Sequence, residues 1–253
     1  MSIVRAKKSL GQHFLRDQNI ARKITDSLLP LTTEVLEIGP GMGVLTRHLL
    51  TNTAFSVRAI DIDHESIEYL HNELPEHQER IFYGDFLKMD ITGLYQEPFS
   101  VIGNLPYNIS SQIFFRIIEN RNLVTQVVCM IQKEVAERIS APHGSKTYGI
   151  LSVFLQTFYD IEYLFTVSEK VFDPPPKVKS AVIRLIRNNR QELGCSEKLF
   201  FNVVKTGFNQ RRKTLRNSIR GLLPPGFESN YLNLRPEQLS VEDFLQLCHE
   251  IEK

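Results

Sequence analysis

The chain has 253 residues, 42% of them apolar and 23% charged, which suits an ordinary globular protein with one large body and a smaller one. No apolar run approaches the ~20 residues needed to cross a bilayer, and MSIVRAKKSLGQHF has no hydrophobic stretch behind its basic residues, so no secretory signal is expected. Cys129, Cys195 and Cys248 lie far apart without a CxxC pair, which argues against a disulfide framework or a zinc site and for a reducing cytoplasm; the net charge of +1 excludes little.

In chain order, apolar runs alternate with helical patterns. Strands are expected at Glu34–Gly39, Phe55–Asp61, Arg80–Asp85, Phe99–Leu105 and Gln126–Ile131, all rich in β-branched and aromatic residues. Helical spacing marks Val44–Thr51, His64–Leu74 and Ser110–Glu119 between them. Such alternation predicts an α/β fold with a parallel sheet covered on both faces. Glu162–Val171 and Ala181–Arg187 read as two further strands joined through Pro174-Pro175-Pro176, suited to an antiparallel edge. From Ser196 onward the pattern is helical, at Glu197–Gly207, Lys213–Leu222, Arg235–Leu239 and Val241–Ile251. The expected organisation is therefore an α/β domain over 1–190 and a small helical domain over 191–253.

The first strand ends in Glu37-Ile38-Gly39-Pro40-Gly41-Met42-Gly43. Glycines at this turn let the backbone bend sharply and approach a ligand. Asp61 ends the second strand, where a carboxylate can accept both hydroxyls of a ribose, and Asp85 ends the third, where it can accept from an adenine amino group. Ligands of open α/β sheets bind beyond the carboxyl ends of the strands, so Gly39, Gly41, Asp61 and Asp85 converge on one crevice. These features alone leave a nicotinamide cofactor open as well as other adenosine-bearing ones.

The fourth strand runs into Asn104-Leu105-Pro106-Tyr107. This tetrapeptide, after a strand and before a helix, resembles the catalytic motif of adenine- and cytosine-amino methyltransferases. The resemblance extends through Lys8–Leu15, Glu37–Gly43, Gly103–Ser110, Gln132–Arg138 and Phe172–Val182, and over these linked segments the chain is similar to the bacterial small-subunit rRNA adenine N6,N6-dimethyltransferases. The resemblance implies a Rossmann-like class I methyltransferase sheet, S-adenosylmethionine as cofactor, and small-subunit (16S) rRNA as substrate during ribosome biogenesis. It implies two adjacent adenosines, each dimethylated. It places Gly39 against the methionine moiety, Asp61 on the ribose, Asp85 on the adenine and Asn104 beside both cofactor and target, with Gly41 also cofactor-binding. In the family a Gln-Asn-Phe-Leu segment folds over the cofactor; here it is Gln12-His13-Phe14-Leu15, so His13 and Leu15 are cofactor-binding candidates, with Leu15 acting through its backbone. Tyr107 and Phe172 are expected to stack on opposite faces of the target base, Phe172 delivered by a loop that Pro174–Pro176 stiffens.

The chemistry accounts for these residue types. The N6 lone pair of adenine is delocalised into the ring, so the amino group is a poor nucleophile. Acceptors placed around N6–H in a pyramidal arrangement draw that lone pair out of the plane. Asn104 offers a side-chain carbonyl, and Leu105 or Pro106 a backbone carbonyl. Tyr107 supplies a flat face for a flipped-out base. No metal and no strong base is required; catalysis is positioning and electrostatics.

Two basic segments fit a polyanionic partner. Residues 170–220 hold thirteen Lys/Arg against three acids, and residues 1–23 six against one. Arg211, Arg212, Lys213, Arg216 and Arg220 are RNA-binding candidates, and on one helix Lys213, Arg216 and Arg220 would share a face. An Erm-type large-subunit rRNA methyltransferase is the nearest alternative, usually with Ile in place of Leu105. A non-catalytic nucleic-acid-binding protein on the same fold is opposed by the intact Asp61, Asp85 and Asn104–Tyr107, and a DNA adenine methyltransferase would more often carry Asp at 104. No self-association element is evident, so a monomer is expected.

Overall fold

The computed structural model describes residues 4–253. Its elements in order are β1 (Phe14–Leu15), α1 (Gln18–Thr25), β2 (Glu34–Ile38), α2 (Val44–Thr51), β3 (Ser56–Asp61), α3 (His64–Glu73), β4 (Ile81–Tyr83), α4 (Ile91–Leu94), β5 (Phe99–Asn104), α5 (Ser110–Glu119) and β6 (Val124–Gln132). Then follow α6 (Lys133–Ile139), α7 (Ile150–Phe158), β7 (Tyr159–Val167), β8 (Phe172–Asp173), β9 (Ser180–Arg187), α8 (Glu197–Asn209), α9 (Leu215–Ser218) and α10 (Val241–Ile251). Among the described residues no helix is long and apolar enough to cross a membrane.

Seven strands form one sheet in the order β4-β3-β2-β5-β6-β9-β7. The first five are parallel, as the strand–helix alternation requires, and β9 joins β6 antiparallel. The expected antiparallel region is present, with β7 rather than β9 outermost. Strand order reverses at β2, which lies between β3 and β5, so the crevice opens at the carboxyl ends of β2 and β5. The buried strands are nearly continuous apolar runs, as expected for a parallel sheet covered on both faces. On one face α1 and α2 pack Ala21, Ile24, Leu45 and Leu49 with Val35, Ile102 and Val128. Over β3 and β4, α3 contributes Ile67, Leu70 and Leu74. A separate two-stranded ribbon pairs β1 with β8 antiparallel, Leu15 opposite Phe172.

The chain divides into two compact units, but not at a single cut near residue 190. Among the described residues one comprises 4–136 and 161–187, the other 137–160 and 188–253. The physical reason is α7, whose aromatic side chain belongs with the C-terminal helices: the Phe154 ring meets Phe201 at 4.4 Å, edge-on, and lies 6.0 Å from Phe200. A second correction concerns the expected helix over Lys213–Leu222. Thr214 is extended (φ −67°, ψ 158°), the helix it opens covers only Leu215–Ser218, and a short 3-10 turn takes Arg220–Leu222. Lys213 therefore precedes the helix, and Lys213, Arg216 and Arg220 do not form a stripe on one helical face.

Gly103 sets how closely β5 can pass β2. A Cβ there would collide with the Ile38 carbonyl oxygen, a backbone atom that cannot rotate away. Gly103→Ala should cost at least ~2 kcal/mol in denaturant unfolding, whereas Gly221→Ala, with open space around it, should change stability by less than ~0.5 kcal/mol. Equal effects of the two would contradict this packing.

Candidate active site

Positive φ angles at Gly39, Gly41 and Gly43 (69°, 54° and 80°) turn the chain from β2 into α2. A Cβ on Gly39 would meet nothing nearer than the Asn104 carbonyl oxygen at 3.9 Å, so this glycine leaves room in front of the backbone. Gly41 is needed sterically as well, because a Cβ there would press on the Phe14 ring at 2.9 Å. A cavity opens at these strand ends, walled by Gly39, Asp61, Asp85, Asn104 and Tyr107 and roofed by residues 9–15.

Asp61 is buried and accepts N–H groups from Gly41 (3.1 Å) and Asp63 (2.9 Å) on separate carboxylate oxygens. Burial raises its pKa while those two N–H groups oppose the rise. Asp85, two residues beyond β4, accepts from the Leu87 N–H at 3.0 Å and sits 3.5 Å from the Lys88 ammonium. Both acids have lone pairs to spare for a ligand, since a carboxylate offers about four acceptor sites.

Glu37, which the sequence presents only as part of the glycine turn, also lines the cavity. It is 1% exposed, and its Oε2 has no hydrogen-bond partner among the described residues. Burial pushes its carboxyl up to about 8, with Thr46 opposing and the nearby Asp61 charge adding to the rise. Its position as the inward-facing residue of a fully buried strand was the available signal.

The N-terminal segment is fastened over the cavity by polar contacts. Asp63 caps α3 and receives Lys7 Nζ at 2.6 Å and Gln12 Nε2 at 2.9 Å. Burial pushes Asp63 up, but the Lys7 and Gln12 donors outweigh it and hold the carboxyl below its ordinary value. Arg16 pairs with Asp173 across the β1–β8 ribbon. Asn104 donates from Nδ2 to the His13 carbonyl oxygen at 2.9 Å. A carbonyl only accepts, so this contact fixes the orientation of the amide and leaves Asn104 Oδ1 as an acceptor.

Tyr107 donates to or accepts from Ser180 Oγ at 2.5 Å, and burial raises its phenol. Its ring stacks on His13, centroids 5.4 Å apart and planes 28° apart. His13 also bonds the Pro174 carbonyl through Nδ1 at 2.8 Å. Leu15 is buried and lines the cavity. Phe172 is 4% exposed and packs with Leu15, Val167 and Val182, paired across the β1–β8 ribbon with Leu15, which lines the cavity.

Of the basic candidates, Arg216 is held by Glu228 in a two-pronged pair at 2.9 and 2.6 Å, and Arg211 lies 3.8 Å from Glu237. Arg212, Lys213 and Arg220 are exposed without an ion-pair partner among the described residues.

A parallel sheet reversing at β2, a glycine turn, acids beyond successive strands and an Asn-Leu-Pro-Tyr loop define a Rossmann-like methyltransferase. Residues 3–253 match the family model described as ribosomal RNA adenine dimethylase. The chain belongs to that family, whose activity and fold imply S-adenosylmethionine. It is 56% identical over 251 residues to ribosomal RNA small subunit methyltransferase A of Parabacteroides distasonis, covering 98% of this chain and 94% of the relative. It is likewise 56% identical to the protein of that name from Porphyromonas gingivalis, covering 98% of each chain. Among solved structures, a dimethyladenosine transferase from Plasmodium falciparum superposes with a TM-score of 0.78 at 28% identity, over 93% of this chain and 96% of that one. The 23S rRNA methyltransferase ErmE superposes with 0.68 at 25% identity, over 95% and 100%.

The Glu37 carboxyl generates a pH signature. Between its ordinary value of 4.5 and about 8 the unfolded chain has released this proton while the folded one holds it. Folding stability from this group is therefore complete below 4.5, falls through that window and levels off above 8. Glu37→Gln removes the dependence, so the variant should gain on the wild type by a few kcal/mol, as an order of magnitude, between about pH 5 and pH 8. Chemical unfolding at both pH values measures it; a constant difference would refute the buried acid.

Proposed function

We propose that this protein transfers methyl groups from S-adenosylmethionine to N6 of two adjacent adenosines in small-subunit (16S) rRNA, dimethylating each, during ribosome biogenesis in the cytoplasm. The observation that carries the reading is the Asn104–His13 contact, which turns the Asn104 amide so that its oxygen is left to accept in the same cavity as Gly39 and Asp61. High identity to proteins named for the small subunit, against 25% to the 23S enzyme, favours the small-subunit substrate over the Erm-type alternative.

The residues present fit the cofactor: an unpartnered buried Glu37 oxygen and the room in front of Gly39 suit a cationic methionine moiety. Asp61 would accept the ribose hydroxyls and Asp85 the adenine amino group, with Gly41 and the His13–Leu15 backbone closing over them. Bound there, S-adenosylmethionine supplies an electrophilic methyl on sulfur. Asn104 Oδ1 accepts one N6–H of the target. For the second acceptor the Leu105 carbonyl is favoured over Pro106, whose oxygen already receives the Ile109 N–H at 3.3 Å. Both draw the lone pair out of the ring plane, and the nitrogen sheds its proton to solvent once it is alkylated. After one transfer a single N–H remains to hold this geometry, which allows a second. Arg212, Lys213 and Arg220, joined by Arg211 and Arg216 where their acids release them, supply phosphate contacts that give affinity and register rather than sequence.

Incubation with labelled cofactor and separated undermethylated small and large subunits tests this. Label should enter small subunits only, and mass spectrometry of digested RNA should find N6,N6-dimethyladenine as the end product. Label in the large subunit, or only the monomethyl form at long times, would refute the reading.

A further inference from the structure

An adenine drawn out of its strand leaves a gap, and the apolar faces of the bases on either side of that gap meet water. A protein that fills the gap with an apolar side chain favours the flipped state. Among the described residues the large exposed apolar side chains are Leu31, Ile62, Tyr83 and Val178, and only Val178 stands between two cations, Lys177 and Lys179. We infer that Val178 is a wedge that takes the place of the flipped adenine in the RNA, with Lys177 and Lys179 holding the phosphates on either side. The inference rests on the reading of the cavity as a site that modifies RNA bases.

An isolated exposed valine is ordinary, and what sets Val178 apart is how its loop is tied. The loop over 174–179 is fastened at both ends to residues that line the cavity. The Pro174 carbonyl oxygen bonds His13 Nδ1 at 2.8 Å, and Ser180 Oγ, just past the loop, bonds the Tyr107 hydroxyl at 2.5 Å. Ser180 starts β9 opposite Gln132, the last residue of β6, and the Lys133 N–H donates to the Lys179 carbonyl at 2.9 Å. Because β6 runs parallel to β5 and ends beyond Asn104, the loop rises from the same edge of the sheet as the Asn104 loop. Val178 lies two residues from Ser180, about 7 Å of chain at most, a reach on the scale of a single nucleotide step. Consecutive prolines fix φ over 174–176, and Pro176 is buried, so the tip needs little ordering when it docks. Val178 is 46% exposed, and Lys177 and Lys179 are exposed without an ion-pair partner among the described residues. An apolar side chain between two unpaired cations suits a nucleic-acid strand, which offers flat apolar faces between regularly spaced charges.

Single-turnover methylation of undermethylated small subunits, beside measured affinities for subunits and cofactor, tests the assignment. A wedge acts only once the base is out. Val178→Ser should therefore slow the rate at saturating subunits by roughly tenfold, the scale of one contact to a base face, and leave the subunit dissociation constant within about threefold. Val178→Leu should restore the rate, and Leu31→Ser, a like change beside the opposite end of β2, should keep it. Lys177→Gln combined with Lys179→Gln should instead weaken subunit binding and lower the slope of log affinity against log salt by roughly one to two. Cofactor affinity and the unfolding midpoint should be unchanged in every variant. The wedge is overturned if Val178→Ser keeps the wild-type rate, if it acts only through subunit affinity, if Val178→Leu or Leu31→Ser is equally slow, or if cofactor affinity or stability falls with the rate. An unaltered salt slope in the lysine pair overturns the placement of this loop on RNA phosphates. A wild type that binds cofactor yet methylates no small subunit overturns both this inference and the reading beneath it; an active wild type beside an equally fast Val178→Ser overturns this inference alone.

Discussion

The site depends on one hydrogen bond, from the Asn104 amide to the His13 carbonyl. It joins the end of β5 to a segment 91 residues earlier in the chain, and it does two things at once. On the proposed reading it orients the acceptor that an adenine amino group requires, and it ties the N-terminal segment to the end of β5 at the cavity. The rest of the roof is arranged to keep that bond in place. Lys7 and Gln12 converge on the buried Asp63, Phe14 lies against the bare face of Gly41, and a Cβ on Gly11 would strike Asn108 at 2.5 Å. Such a site needs little chemical power from its side chains, because preorganised acceptors do their work before the reaction begins.

Electrostatics set a tension within this frame. Glu37 and Asp61 both lie at the carboxyl end of the sheet, both are buried, and burial raises both. Two acids near one another in a cavity oppose folding at neutral pH, and among the described residues no Lys or Arg in the cavity wall relieves them. On the proposed reading a cationic cofactor provides the missing charge, so acids that weaken the empty fold favour the loaded one. Asp63, by contrast, has its cation in Lys7 and serves the structure.

The sheet was legible because buried parallel strands are short β-branched runs ending in turn residues. Glu34–Ile38, Ser56–Asp61 and Phe99–Asn104 match expectation within a residue or so, and the glycine turn and acids fall at their ends. Helix α7 was illegible for a physical reason. Leu151, Val153, Phe154, Leu155 and Phe158 are buried on all sides of it, so it has no amphipathic stripe. Missing α7 concealed the discontinuous unit that it anchors. The two-residue strands β1 and β8 are too short to show alternation, and their pairing depends on contacts between positions some 160 residues apart. The role of Phe172 rests on resemblance, since nothing in its local sequence distinguishes a base-stacking ring from a core ring. The supposed basic helix failed at Thr214, where the chain is extended, a break that a charge count does not register.

On the proposed mechanism Asn104 acts through a fixed amide orientation. Asn104→Asp tests it most directly, since aspartate keeps an acceptor oxygen and loses the donor that bonds His13. Single-turnover methylation at saturating cofactor and subunits should slow by roughly tenfold or more, with folding unchanged in thermal unfolding. A wild-type rate in this variant would show that the amide orientation plays no part in the reaction.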